Sequence, residues 1–323
     1  MKYRMADLPK VRIQHARPFR NLGIEYCGPF WVKEKKYRNR TKVKVYVSVF
    51  VCMSTKAIHL EVVTEMTTQA FFLAVQRFIA RRGIPSDIFS DNGSNFVGAK
   101  NDLSELYNIL KDENFKNNVQ RYTNTKAIQW HFSVPLAPHF GGLWEAAVKS
   151  FKNHLRRVVG NELFTYEEFT TLVISIEAIL NSRLICSLSS DPNDPITLTP
   201  GHFLIGQPLN TIPDHDETST PKNRLSSWRL ITQAKQHFWN RWYLEYLHEL
   251  QKRQKWIDKG ENIKLGAVVL IIDKGLPNMQ WSLGKVTELH QGDDNGVCAA
   301  TVKTANSTFK RSVKMLCPLP INE

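Results

Sequence analysis

The chain has 323 residues, of which 42% are hydrophobic and 23% charged, and its formal net charge at pH 7 is +13. That composition is too apolar for a disordered protein and fits one to three folded domains. No apolar run reaches the roughly 20 residues of a membrane-spanning helix, and the N-terminus has no signal-peptide pattern. The five cysteines are widely spaced and form no C-x-x-C pair, so neither a disulfide framework nor a zinc site is expected. A basic intracellular protein with an anionic partner remains.

The positive charge is concentrated near the N-terminus. Residues 1–50 hold 13 basic and 3 acidic side chains, a net of +10. The densest run, at 33–44, contains Lys35, Lys36, Arg38 and Arg40. It is typical of a solvated hairpin tip between two strands, and equally of a surface that binds nucleic-acid phosphates. The two interpretations are compatible, and a nuclear localisation signal is a third.

The first 185 residues show strand patterns followed by helix patterns. The predicted strands lie at 23–29, 45–52, 58–63, 88–93 (ending in a turn) and 128–132. The predicted helices lie at 67–82, 143–159 and 165–181, the last with a T-x-x-E capping pattern at Thr165 and Glu168. The polar stretch 111–126 has no predicted element. Three adjacent strands followed by strand–helix alternation predict an α/β layer fold with a mixed sheet.

The second part of the chain predicts a different architecture. Residues 186–226 are rich in Pro, Asp and Ser, as in a linker or extended arm. A helix is predicted at 227–256, where an aromatic stripe (Trp239, Trp242, Tyr246, Leu250) has the spacing of a packing face. Short strands at 267–272, 284–289, 299–303 and 312–316 predict a small β-barrel of about 60 residues.

Three carboxylates are candidates for chemistry: Glu25, Asp91 and Glu145. Each has a structural interpretation, as a solvent-facing strand residue, a turn former and a complement to a helix dipole, respectively. Carboxylates from two strands and a helix can also converge at one end of a sheet, where they repel each other unless a cation is present. Oxygen ligands of this kind suit Mg²⁺ or Mn²⁺, and a pair of such ions assists in-line phosphoryl transfer.

The predicted helix after Gly142 adds cations to this set. Its residues Glu145, Lys149, Lys152 and Arg156 share one face at helical spacing. A separate apolar face consists of Val148, Phe151, Leu155 and Val158. Surface pairing at i,i+4 explains Glu145 with Lys149, but it does not explain why the cations continue. The pattern is typical of a metal site next to a phosphate track.

Several motifs together resemble the integrases of BEL/Pao-type LTR retrotransposons, which have a retroviral-type core. The motifs are SDNGSNF at 90–96, APHFGGLWE at 137–145, TKAIHLE at 55–61, ARRG at 80–83, EAILNSR at 177–183, LTPGHFL at 198–204 and FWNRW at 238–242. The resemblance covers nearly the whole chain.

The resemblance implies an RNase H-like core, with a mixed five-stranded sheet flanked by helices, followed by an aromatic helix and a small β-barrel C-terminal domain. The implied division is a basic linker at 1–17, a catalytic core at 18–185, a linker at 186–226, a helical segment at 227–258 and the C-terminal domain at 259–323. The implied activity is metal-dependent polynucleotidyl transfer of the DDE type, which trims the 3′ ends of the element's DNA and joins them to target DNA.

The resemblance assigns roles to the three acids, and the roles of the other site residues are hypotheses from their positions and charges. Glu25, Asp91 and Glu145 occupy the three acid positions that hold a two-metal Mg²⁺ or Mn²⁺ site. Asn92 and His139 flank the acids and would orient substrate or metal-bound water, although a loop-stabilising hydrogen bond is an alternative for His139. DNA phosphates are expected at the cations of the helix and the hairpin, namely Lys149, Lys152, Arg156, Lys35, Lys36, Arg38 and Arg40. A second DNA contact is expected in the C-terminal barrel at Lys303, Lys310, Arg311 and Lys314.

One departure from the family pattern affects the expected activity. The family has Asp at the first acid position, where this chain has Glu25. The extra methylene displaces the carboxylate by more than the roughly 0.5 Å that catalytic geometry tolerates, so impaired strand transfer is expected. Two hypotheses follow: an integrase with reduced activity, or a catalytically inactive nucleic-acid-binding protein derived from one. Self-association into a homo-oligomer and a nuclear location are expected by resemblance.

Overall fold

The structure of the protein is a computed structural model. The described residues are 10–34, 41–90, 113–125, 128–132, 138–160, 162–187, 197–211, 214–250, 263–273, 276–291 and 296–319. The chain divides into two compact units, here the N-terminal unit (Met1–Leu180) and the C-terminal unit (Asn181–Glu323). Within the described ranges, no helix has both the length and the apolar character needed to cross a membrane.

The N-terminal unit is built on a mixed sheet. Its five main strands are β1 (Asn21–Lys33), β2 (Lys42–Cys52), β3 (Ile58–Val63), β4 (Asp87–Ser90) and β5 (Gln129–Phe132). The spatial order is β3-β2-β1-β4-β5, and a two-residue strand, β6 (Phe164–Thr165), also pairs with β1. Strands β1 to β3 are antiparallel, whereas β4 and β5 run parallel to β1 and to each other. The predicted mixed five-stranded sheet is confirmed.

The described helices of the N-terminal unit flank this sheet in the sequence order expected of an α/β layer fold. They are α1 (Lys10–Ile13), α2 (Thr68–Arg82), α3 (Glu113–Thr125), α4 (Pro138–Val159) and α5 (Tyr166–Asn181). The Thr67 hydroxyl caps α2 by accepting the Ala70 N–H at 3.2 Å, and Gly83 ends the helix at φ +83°. Thr165 and Glu168 form the predicted capping box of α5, each accepting a hydrogen bond from the other's backbone N–H.

Two helix predictions were wrong. The polar stretch 111–126 contains α3, whose Val119 is fully buried, so packing of this side chain supports a helix that the polar sequence did not indicate. Helix α4 starts at Pro138 and not at residue 143, because proline suits the first helical position and the helix tolerates the two glycines that follow. Glu145 is therefore eight residues into the helix, beyond the reach of the dipole effect at its N-terminus. On the apolar face of α4, Val159 is buried and Val158 only half-buried.

The C-terminal unit contains a second sheet, which is antiparallel. Its strands are β9 (Val268–Ile271), β10 (Ser282–Gln291), β11 (Val297–Lys303), β12 (Thr308–Ser312) and β13 (Leu316–Pro318). The order is β12-β11-β10-β9-β13, around a small apolar core. The predicted strand at 312–316 is a 3₁₀ turn (Val313–Met315) that separates β12 from β13. The C-terminal β-sheet region is otherwise where the sequence predicted it.

The aromatic helix α7 (Ser227–Leu250) and the segment before it form the rest of the C-terminal unit. Trp239 and Trp242 are buried, as a packing stripe predicts, and both contact Trp281. Within 186–226, β7 (Cys186–Ser187) pairs with β8 (Thr197–Leu198), and α6 (Pro200–Ile205) follows. Buried Glu217 is bound by Arg229 of α7 through two hydrogen bonds of 2.6 and 2.9 Å, which attaches this segment to the helix.

Candidate active site

Glu25 lies on the central strand of the main sheet, next to the point where the pairing of β1 with β4 ends. The parallel register runs from Asn21 opposite Asp87 to Ile24 opposite Ser90. Glu25 follows Ile24 on β1, and Asp91 is the next residue in the sequence after Ser90. Glu25 is half-buried and pairs with Val49 on the other side, in β2.

The backbone just after Glu25 is irregular. The register of β1 against β2 shifts between Cys27 and Phe30, which is the signature of a β-bulge. Gly28 has φ +149°, and a Cβ atom there would lie 2.8 Å from Cδ1 of Tyr46. Only glycine fits this position without displacement. Bulges next to a functional strand end re-aim the neighbouring side chains, so this one sets the direction of the chain around Glu25.

Helix α4 brings its cations to this bulge. The Arg156 guanidinium donates to the carbonyl oxygen of Gly28 at 3.3 Å. Lys152 is half-buried, and burial together with the charge of Arg156 lowers the pKa of its ammonium group, while the nearby charges of Cys27 and Glu25 act in the opposite direction. Burial also raises the pKa of the Cys27 thiol. Arg156 thus contacts β1 at Gly28 and Lys152 lies near Glu25, while Lys149 and Arg156 are both exposed.

The other predicted site residues lie wholly or partly outside the described part. Asp91, Asn92 and the hairpin-tip cations Lys35, Lys36, Arg38 and Arg40 fall outside it. For His139 and Glu145 the helical backbone is described, but their side chains fall outside. The three-acid site therefore remains a prediction.

The described ranges contain no group of three His, Cys, Asp or Glu side chains placed to hold a metal ion. The side chains of Asp91 and Glu145 lie outside those ranges. The donor chemistry of the predicted set fits a hard divalent ion, because all three ligands are carboxylates. Glu25 itself lies within β1, one residue past the end of its pairing with β4 and near Lys152 of α4.

The end of β4 is held by an aromatic contact that the sequence analysis did not identify. The Trp130 indole N–H donates to the Ser90 hydroxyl at 3.0 Å, one residue before Asp91. The Trp130 ring packs edge-on against Phe71 at 5.6 Å, and Phe71 in turn contacts Tyr26, the neighbour of Glu25. These contacts connect the residues adjacent to the first two predicted acids. The signal in the sequence was Trp130 on β5, the strand that pairs with β4.

A second group of charged residues in the N-terminal unit was also missed. We call it the His59 network; it consists of His59, Glu61, Arg77, Arg81, Arg82 and Glu177. His59 lies between two carboxylates, with Nε2 at 2.9 Å from Oε1 of Glu61 and Nδ1 at 3.3 Å from Oε2 of Glu177. All three of these side chains are buried.

Arginines from α2 neutralise both carboxylates of the His59 network. Arg77 donates to Glu61 at 2.7 Å and Arg81 also pairs with it, while Arg82 donates to Glu177 at 2.6 Å. Glu177 further accepts the backbone N–H of Leu60 at 2.8 Å. The network joins β3, α2 and α5, and it draws on the TKAIHLE, ARRG and EAILNSR motifs. The histidine, the acids and the arginines of these motifs were the signal available in the sequence.

In the C-terminal unit, the predicted DNA-contacting cations lie on and beside the edge strand β12. All five residues of β12, including Lys310 and Arg311, are exposed, as is Lys314, and Lys303 is half-exposed. Arg311 lies over the ring of Phe309 at 4.9 Å. The surface is basic and accessible, as a phosphate contact requires.

Comparisons with known proteins give one family match and a set of structural likenesses, which includes two at low identity. Residues 226–319 match a family model described as a family of unknown function, DUF5641. No curated protein matches the chain. One similar structure is a chain in the cryo-EM structure of the simian T-cell lymphotropic virus intasome in complex with PP2A regulatory subunit B56 gamma, at 13% identity and a TM-score of 0.40, over 99% of this chain and 85% of that one. Another is the HTLV-2 integrase catalytic core domain in complex with magnesium, in its dimeric form, at 18% identity and a TM-score of 0.31, over 51% of this chain and 88% of that one.

Proposed function

We propose that the protein is an integrase of the BEL/Pao retrotransposon type, a metal-dependent polynucleotidyl transferase whose activity is reduced by Glu25. The observation that carries the proposal is the register of β1 and β4, which ends at Ile24 and Ser90, one residue before Glu25 and Asp91. Acids that follow a matched pair on adjacent parallel strands are within reach of one shared cation. The motifs on which the resemblance rests supply the third acid, Glu145, on α4.

The surrounding residues would each have a part in the reaction. Mg²⁺ or Mn²⁺, held by Glu25, Asp91 and Glu145, would stabilise the attacking and leaving oxygens of phosphoryl transfer. Lys149 and Lys152 would bind phosphates and fix the position of the DNA strand without reading its sequence. Arg156, through Gly28, would hold the bulge that directs Glu25. The partners would be element ends and target DNA, and a homo-oligomer in the nucleus would be the working form.

The experiment compares the purified chain with Glu25→Asp and Glu25→Gln in a Mg²⁺-dependent strand-transfer assay on labelled duplex DNA. A carboxylate displaced by about 1 Å costs on the order of 10²-fold in rate, so Glu25→Asp should be faster than the natural chain by about that factor. Glu25→Gln should abolish transfer, and Glu167→Gln, at an exposed carboxylate of α5, should leave it unchanged. Equal rates for the natural chain and Glu25→Asp would contradict the proposed effect of Glu25.

A second candidate function is nucleic-acid binding without catalysis, and the identity of Glu25 is the observation in its favour. Calorimetric titration with Mn²⁺ separates the two functions. Metal binding by both the natural chain and Glu25→Asp supports the enzyme, whereas binding by neither supports the non-catalytic protein. Under both functions, DNA affinity should fall steeply between low and physiological salt. Lys and Arg side chains that bind the phosphates release counterions from the DNA backbone.

A further inference from the structure

The open end of the β1–β2 ladder carries an exposed tryptophan among lysines. Trp31 is 44% exposed and lies opposite Lys44 in the antiparallel register, and Lys33 lies opposite Lys42 two residues further on. Because side chains alternate between the faces of a strand, these four residues share one face of the hairpin. We call them the Trp31 face.

The lysines on this face sit close to the indole ring. Lys44 Nζ is 5.7 Å from the ring centroid of Trp31, within cation–π range. Lys33 is partly engaged by Glu168, at 3.9 Å, whereas Lys42 is exposed. An exposed aromatic ring with the Lys44 ammonium over it and Lys42 two residues from Lys44 on the same face can receive a base and its flanking phosphates.

The structural alternative is a cross-strand pair that only stabilises the hairpin. That accounts for Trp31 with Lys44, but not for three lysines on one face at the end of the ladder. The like charges of Lys33 and Lys42 in opposite register are unfavourable, and Glu168, at 3.9 Å from Lys33, offsets them only in part. A polyanion would relieve this repulsion. Among polyanions, nucleic acid also presents flat aromatic groups, and every base can stack on an indole ring regardless of its sequence.

We propose that the Trp31 face binds a single-stranded segment of nucleic acid, with Trp31 stacking on an unpaired base and Lys42 and Lys44 contacting the flanking phosphates. The proposal rests on the nucleic-acid binding in the proposed function, but it requires neither metal nor strand transfer. It adds a contact for unpaired bases at a place where the sequence analysis predicted only phosphate contacts.

The test is a binding cycle with the full chain in EDTA. Two 20-nucleotide probes are used, one of mixed-sequence single-stranded DNA and one of the same length made of abasic residues, which keeps the phosphates and lacks the bases. Trp31→Ala should weaken binding to the normal strand by about tenfold, within the range that one stacked base contributes, and leave binding to the abasic strand within twofold. Trp31→Phe, which keeps a ring, should lose less than Trp31→Ala.

Two controls separate stacking from charge and from general damage. Trp228→Ala removes another exposed tryptophan, 67% exposed on α7, and should change neither affinity. Lys44→Gln should weaken binding to both probes and reduce the salt slope by about 0.7, while Trp31→Ala should leave the slope unchanged. If Trp31→Ala does not fold, as judged by circular dichroism, Trp31→Leu, which suits a strand, replaces it.

Each result has one interpretation. Equal losses on both probes, or no loss on the normal strand, overturn the Trp31 proposal while leaving the proposed function standing. A natural chain that binds neither probe at low salt overturns the Trp31 proposal, and one that also fails to bind duplex DNA overturns the proposed function as well. Competition by poly-glutamate as strong as that by DNA would indicate an acidic protein partner and would also overturn the stacking proposal.

Discussion

The N-terminal unit contains carboxylates in two contrasting settings. Glu61 and Glu177 are buried in the His59 network, where arginines of α2 bind both of them directly. Glu25 is half-buried beside a backbone bulge, and the neighbouring cations belong to a helix face that is partly open to solvent. The first setting balances its charge inside the protein, whereas the second leaves cations available to an external anion.

The contrast separates structural from functional acids better than burial alone does. A buried carboxylate with two or three internal donors stabilises the fold, because removing any member leaves an uncompensated charge. Glu25, half-buried beside a bulge and near Lys152, is instead a candidate ligand for a metal ion. The predictions below test whether the two settings respond differently to substitution.

The largest effect is expected when the His59 network loses an acid. Glu177→Gln leaves Arg82 and His59 beside a neutral group, and breaking a buried ion pair costs about 3–5 kcal/mol of unfolding free energy. We expect the lower end, about 3 kcal/mol, because the Arg82 side chain is 21% exposed. Urea unfolding measures the change. Glu167→Gln on the same helix is the control and should cost less than about 0.5 kcal/mol, and a similar cost for both variants would show that the network is not structural.

The next effect tests the backbone of β1 at the bulge beside Glu25. Gly28→Ala brings a Cβ atom to 2.8 Å from Tyr46 at φ +149°, so we expect a loss of about 2 kcal/mol. Gly160→Ala is the control, since Gly160 has φ +55° with nothing within 4 Å of the added atom, and should cost about 1 kcal/mol. If the bulge also directs Glu25, Mn²⁺ affinity should fall in Gly28→Ala and not in Gly160→Ala.

The His59 network should also make stability depend on pH. Burial lowers the pKa of His59, and the charges of Arg82 and Arg81 act in the same direction. The pKa of Glu177 is lowered despite its burial, because Glu177 interacts with His59, the Leu60 N–H and Arg82. Both groups therefore bind fewer protons in the folded state than in the unfolded state. The unfolding free energy should decrease as the pH falls below about 6.5, where unfolded histidine gains a proton, and decrease further below about 4.5.

Urea unfolding of the natural chain and of His59→Asn between pH 8 and pH 4 measures this dependence. The substitution should flatten the profile between pH 7 and pH 5 and leave the more acidic limb, which belongs to the carboxylates. A profile that keeps its slope near pH 6 without His59 would assign the dependence to other groups.

The sequence predicted elements best where local signals agreed with tertiary packing. Helix α2 and strand β3 appear with the predicted ends, because Thr67 and Gly83 are strong caps and the β3 pattern is continuous. It failed where packing outweighed local preference. Helix α4 runs through two glycines, and α3 forms from a polar stretch with one buried valine.

The candidate site was predictable in part for the same physical reason. Lys152 and Arg156 lie beside β1 because helical periodicity fixes a face, and that periodicity can be read from sequence. The His59 network could not be assembled that way, because Glu61 and Glu177 meet only through the fold, 116 positions apart in the chain. Long-range ion pairs leave no periodic signal, although their motifs were visible.

The smallest effect concerns Trp130, whose indole N–H binds Ser90 at the end of β4. Trp130→Phe removes the hydrogen bond to Ser90 but keeps the ring that packs on Phe71, so we expect a loss of about 1 kcal/mol. A double-mutant cycle with Ser90→Ala isolates the pair, and a coupling of 0.5 kcal/mol or more, within the range of contacting residues, is expected. If the bond orients the end of β4, Mn²⁺ affinity should fall in Trp130→Phe and not in Trp228→Phe. A coupling near zero, or unchanged metal affinity, would show that Trp130 has only a structural role. The bulge at Gly28 would then be the feature that directs Glu25.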